Sequence, residues 1–164
     1  MGGVDTMHRN VRLVVDALTV AGAAPRATAG MRVLPDAVTT AAAAAAALGV
    51  EVGQIANSLV FDADGAPLLV LTSGAHRVDT GKVAALLGLD AVRRASPAFV
   101  REATGQAIGG VAPVGHPAPL RTLVDRTLAA YDEVWAAGGI PHAVFPTTFA
   151  ELVAVTGGQP AEVA

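Results

Sequence analysis

Asn57 and Ser58 stand side by side in QIANSLVF, a segment otherwise apolar enough to form a central strand. A carboxamide and a hydroxyl offer hydrogen bonds to a substrate without carrying charge. Alternation along a strand sends the two side chains to opposite faces, and an exposed strand asparagine is the plain alternative to a functional one. A second candidate is GQAIGGVAPVGHPAP, residues 105–119, crowded with glycine and proline and holding one titratable side chain, His116. Glycine lets a ligand approach the main chain closely, so such a loop can turn N–H groups on a carbonyl that gains negative charge. A connector between two strands would have the same composition. His116 and His142 both adjoin proline in loop-like surroundings. Either histidine can act as a base near neutral pH or lie on the surface, and sequence does not show whether the two converge.

Other chemistries are absent from the pattern. Cysteine is missing, and the four histidines are dispersed with no HExxH pair, so neither thiolate nor zinc spacing is present. There is no GxSxG elbow, no P-loop and no GxGxxG. Ser96 precedes a proline and an apolar-periodic run, which suits a helix cap. A net charge of −3 argues against a broad phosphate-binding surface such as DNA requires, so any nucleic acid is expected to be held over a small area. The run AAAAAAALGV is about half of a membrane span. No basic-then-apolar leader is visible, and the formal myristoylation match in MGGVDT, with Gly2 and Thr6, reads as a ragged end. The expected location is the cytoplasm.

These groups must be positioned by the surrounding elements. HRNVRLVVDALTVAG repeats apolar residues at helical spacing and closes on Gly22; GMRVLP reads as a short strand. Thr39 or Thr40 can cap a helix through the alanine run, which Gly49 ends. Ile55–Phe61 and Pro67–Thr72 flank DADG and predict a hairpin. Asp79 caps a helix ended by Gly88, and AVRRA is strand-like. Ser96, Pro97 and Gly105 bracket another helix. The apolar parts of the glycine-rich loop, Ala107–Ile108 and Val111–Val114, are able to pair as strand. LRTLVD, YDEVWAA and HAVFP are read as strands before a last helix capped by Thr147 or Thr148. Helices and strands mix without a βαβ rhythm, so the expected class is α+β, one domain over residues 1–164 with a mixed or antiparallel sheet.

The order of these pieces carries a resemblance. A hairpin with a polar strand position, then VDTGKVAALLG, then ATGQAIGGVAPVGH, then Gly138–Gly139 before a strand and a final helix resembles the YbaK family. These are free-standing aminoacyl-tRNA deacylases related to the editing domain of prolyl-tRNA synthetase. The resemblance covers roughly Met31 to Gly158, residues 1–30 being a helical extension, and its most specific piece is the GxxxP loop from Gly109 to Pro113, continuing to Gly115. It implies a central, partly barrel-like mixed sheet surrounded by helices, and hydrolysis by water of the ester joining a wrong amino acid to tRNA. The implied partners are the acceptor end of a mischarged aminoacyl-tRNA and an aminoacyl-tRNA synthetase; no metal, organic cofactor or membrane is implied. Carried over residue by residue, Asn57 and Ser58 orient the aminoacyl or ribose groups. Gly109, Gly110, Pro113 and Gly115 shape the ester pocket, and His116 and His142 supply polar contacts or proton transfer. The family commonly has lysine in the position of Asn57, within a pattern such as FKTL or AKSL, where this chain has ANSL. That departure keeps open a rival reading of a module that binds a tRNA end or a small molecule without turnover. An α+β domain of unrelated role is the third.

Overall fold

A computed structural model describes residues 8–35 and 38–164; the MGGVDT segment lies outside the described residues. Most helices begin and end at the expected punctuation. The first, α1 (Arg9–Val20), is capped by the His8 ring nitrogen, which accepts the Asn10 N–H. A short α2 (Pro25–Ala29), which the periodicity did not suggest, starts on its proline and leads to β1 (Arg32–Val33). Thr40 caps α3 (Ala41–Leu48), Asp79 caps α4 (Thr80–Leu87) and Ser96 caps α5 (Pro97–Thr104). Thr148 caps α6 (Phe149–Thr156). These last four helices stop at Gly49, Gly88, Gly105 and Gly157, all at left-handed φ, the conformation that glycine adopts without a Cβ penalty.

The strands form one mixed sheet. β2 (Ile55–Ala63) and β3 (Ala66–Ser73) make the hairpin, longer at both strands than expected and turned by Asp64 at φ 50° and Gly65 at φ 92°. β4 (Val92–Arg94), β5 (Arg121–Asp125), β6 (Val134–Ala137), β7 (Ala143–Thr147) and β8 (Gln159–Ala161) complete it. The order is β1-β7-β6-β2-β3-β5-β8, with β4 on β2. β2 pairs with β3 along nearly its whole length. Its other edge is shared: β6 runs parallel to Ile55–Ala56, and β4 runs antiparallel to Phe61–Ala63. Between those partners residues 57–60 have no neighbouring strand among the described residues.

Three apolar clusters hold the sheet. Val14 and Leu18 of α1 join Ala56, Val60, Leu69, Leu71 and Phe145 in the largest, so the N-terminal helix belongs to the core. α4 covers Phe61, Leu68 and Val70, and α3 covers Ile55, Trp135 and Val144. Leu69, Leu71 and Phe145 are fully buried, each contributing about 1.5–3 kcal/mol of transfer free energy. A buried carboxylate braces the strand ends. Asp125 accepts the Ser73 N–H at 2.9 Å, the Thr127 N–H at 2.9 Å and the Thr72 hydroxyl at 3.3 Å, and it meets His76 Nε2 at 3.1 Å. Burial of a charge is tolerated when it is paired in this way. The Ser73 hydroxyl donates to the Gly53 carbonyl at 2.8 Å, pinning the turn that launches β2.

The segment between α5 and β5 departs from expectation, since residues 105–120 contain no strand. Val111, Ala112 and Val114 are nonetheless buried. The Gln106 side chain, itself only 2% exposed, replaces a strand partner. Its Oε1 accepts the Ala112 N–H at 2.7 Å, and its Nε2 donates to the carbonyls of Val114 and Gly115 at 3.4 and 3.5 Å.

Candidate functional site

The interrupted edge of β2 opens into a cavity of about 630 Å³. Gly74 N–H donates to the Ile55 carbonyl at 2.7 Å, so Ile55 turns its main chain toward β3. With a period of two, Asn57 and Leu59 do the same, and the N–H and C=O groups of Ser58 and Val60 face the gap. Side chains alternate as well. Ala56 and Val60 enter the large cluster that contains Val111, while Ile55 and Phe61 enter the two clusters on the other face. Ser58 therefore shares a face with the glycine-rich loop and Asn57 takes the opposite one. Both line the cavity, because it wraps the unpaired edge.

Three further segments complete the walls. Thr39 and Thr40 precede α3; Ile108, Gly109 and Val111 come from the loop; Ile140, Pro141 and His142 come from the turn between β6 and β7. Gly109 has φ 90°, and a Cβ there would meet nothing within 4 Å among the described residues, so this glycine keeps the wall open. Gly110 serves a different purpose. A Cβ on it would lie 2.4 Å from Ile140 C and Pro141 N, and its N–H is committed to the Ala107 carbonyl at 3.0 Å. It lets the loop lie directly on the β6–β7 turn. The same turn requires Gly138 beside Met31 Sδ and Gly139, at φ 105°, against the Asn10 carbonyl of α1. His142 is held at φ 60°, a conformation uncommon for a residue with a side chain, and its carbonyl accepts the Leu34 N–H at 2.8 Å.

Of the residues singled out in the sequence, Asn57, Ser58, Gly109 and His142 line this cavity, while Gly110, Pro113, Gly115 and His116 do not. Gly115, at φ 85°, rests on Val14 of α1. The His116 Nε2 lies 2.8 Å from the Ala112 carbonyl, tying the loop to itself. Burial lowers the pKa of that imidazole from 6.5, and the carbonyl contact opposes the shift only in part. A neutral ring can donate Nε2–H to the carbonyl.

Sequence reading passed over Trp135 and Arg94. Trp135 lines the cavity beneath the Arg32 guanidinium, which sits 5.1 Å from the ring centroid. Ser58 and Trp135 both line the cavity, and among the described residues the buried Ser58 hydroxyl and Trp135 indole nitrogen have no hydrogen-bond partner. Arg94 lines the opening and is exposed. Trp135 as the only tryptophan, and the doubled arginine in AVRRA, were the available signals. Among the described residues no group of three or more His, Asp or Glu could hold a metal, and no helix is long and apolar enough to cross a membrane.

Comparison with known proteins bears on this geometry. The model of the aminoacyl-tRNA editing domain matches residues 35–155. A solved structure of a proposed trans-editing enzyme for prolyl tRNA synthetase superposes with a TM-score of 0.87 at 45% identity, covering 96% of this chain and 98% of that one. YwhH of Bacillus subtilis (strain 168), a protein without an assigned role, is 34% identical over 110 residues, 66% of this chain and 69% of its own. The proline–tRNA ligase of Nitratidesulfovibrio vulgaris (strain DP4) is 34% identical over 91 residues, 56% of this chain but 16% of the ligase. The chain thus spans a small part of the ligases it matches.

Proposed function

The chain belongs to the aminoacyl-tRNA editing domain family, of the YbaK type, and from that premise we propose that it hydrolyses the ester of a mischarged aminoacyl-tRNA in trans. The observation that carries the reading is that Asn57, Ser58, Gly109 and His142, from three separate segments, line one cavity at a break in the sheet. In this mechanism a water oxygen attacks the ester carbonyl carbon and the bond from that carbon to the ribose oxygen breaks. His142 takes the proton from water and returns it to the departing ribose oxygen, giving free amino acid and tRNA. Among the described residues it is the one histidine that lines the cavity, and an imidazole can pass a proton between water and a leaving oxygen. The Asn57 carboxamide and the Ser58 hydroxyl orient the aminoacyl group, and Gly109 gives the substrate room at the main chain. An ester is already an activated bond, so positioning and neutral hydrogen bonds supply much of what is needed.

Deacylation measured under single-turnover conditions, on a panel of mischarged tRNAs, tests the reading. Loss of the ester at a rate above that of free solution, reduced in the His142→Ala variant, is the expected result. One feature favours a second reading, a module that binds the tRNA end or a small molecule without turnover: Asn57 replaces the lysine usual in the family with a neutral group. Saturable binding of a mischarged tRNA with its ester intact would establish that alternative.

A further inference from the structure

Arg94 is the one charged side chain among the described residues that line the cavity. It is exposed at the opening and has neither an ion pair nor a side-chain hydrogen bond among the described residues. Register fixes its place: Arg94 pairs with Phe61, the residue of β2 at which the β4 pairing ends and the open edge begins. Cross-strand partners project to the same face, so Arg94 shares a face with Leu59 and Asn57. Leu59, on that face, is 39% exposed, and Ile108 of the glycine-rich loop, 54% exposed, lines the same cavity. The rim therefore combines a guanidinium with apolar side chains, next to a pocket that contains no carboxylate among its described residues. Guanidinium groups bind phosphate through paired, charge-assisted hydrogen bonds, and apolar surface accepts the face of a base.

Building on the deacylase reading, we propose that Arg94 binds the 5′-phosphate of the terminal nucleotide of the substrate, whose base rests on Leu59 of the same face while the aminoacyl ester reaches Asn57. The spacing fits one nucleotide. Asn57 and Phe61 are four residues apart, about 13 Å of extended strand, and the long arginine side chain covers part of that distance. A chain with net charge −3 then recognises nucleic acid at a point rather than over a surface.

The test uses 3′-alanylamino-3′-deoxyadenosine, an amide that is not turned over, with and without a 5′-phosphate. Equilibrium binding is measured for the natural chain, Arg94→Gln and Arg94→Lys. The natural chain is expected to prefer the phosphorylated form about tenfold, the effect of one such contact. Arg94→Gln should remove the preference, leaving affinity for the unphosphorylated form within twofold, and Arg94→Lys should retain part of it. The preference should shrink with added salt. Equal binding of both forms by the natural chain, or equal weakening of both by Arg94→Gln, overturns the assignment, as does a failure of the natural chain to bind either. Ester cleavage by the natural chain is scored separately: binding with the phosphate preference but without cleavage would refute the deacylase reading and leave Arg94 in place.

Discussion

Replacing Gln106 by leucine isolates what shapes the glycine-rich loop. Leucine is close in volume, so little cavity is created, but both side-chain hydrogen-bonding groups are lost. The Ala112 N–H, held at 2.7 Å in a fully buried position, would be left without an acceptor. An orphaned buried donor costs about 1–3 kcal/mol. The two Nε2 contacts, at 3.4 and 3.5 Å, are long and add little. A loss of about 2 kcal/mol corresponds to a melting temperature lower by about 4–8 °C in a domain of this size. Thermal and urea unfolding would measure it, and amide exchange at Ala112 should quicken more than exchange in β3. Because Gly109 and Val111 line the cavity, deacylation should fall as well. A melting temperature within 1 °C of the natural chain, with Ala112 exchange unchanged, would show that the loop is held by its apolar burial and that the glutamine is dispensable.

Gly110→Ala should destabilise by about 1–3 kcal/mol through overpacking, since its Cβ would fall 2.4 Å from the Ile140–Pro141 backbone; chemical unfolding measures the loss, and an unchanged midpoint would contradict the contact. Asn57→Ala should slow deacylation about tenfold, the worth of about 1.4 kcal/mol of neutral hydrogen bonding in the transition state. A variant with full activity would remove that strand position from the mechanism. His116 has a folded-state pKa below 6.5, so on acidification the unfolded chain binds this proton first. Its contribution to stability is complete above pH 6.5 and is lost as pH falls through 6.5 toward the folded-state value. The drop in melting temperature between pH 7.5 and 5.5 should accordingly be smaller in His116→Gln than in the natural chain. An equal drop would mean that other groups govern the acid side.

The boundaries of most elements were legible because they depend on neighbours in sequence. A hydroxyl or carboxylate at Thr40, Asp79, Ser96 and Thr148 satisfies N–H groups a turn away, and glycine at positions 49, 88, 105 and 157 takes the left-handed conformation that ends each helix. Asp64–Gly65 determines its hairpin in the same local way. The family was legible too, since the order of hairpin, helix, GxxxP loop and late glycine pair is itself a property of sequence. Three features were decided only in three dimensions. The first is the shared edge of β2: β4 and β6 come from distant parts of the chain, and the gap between them makes the cavity. The second is the division of the glycines. Gly109 leaves space at the wall, but Gly110 and Gly139 admit neighbouring backbone, and no composition separates open space from close approach. The third is the fate of the histidines. His116 and His142 look alike beside their prolines, yet one is turned onto the Ala112 carbonyl and the other lines the cavity. Long-range packing chooses between them, because the direction of a loop side chain depends on what the loop rests upon, here α1 and the β6–β7 turn.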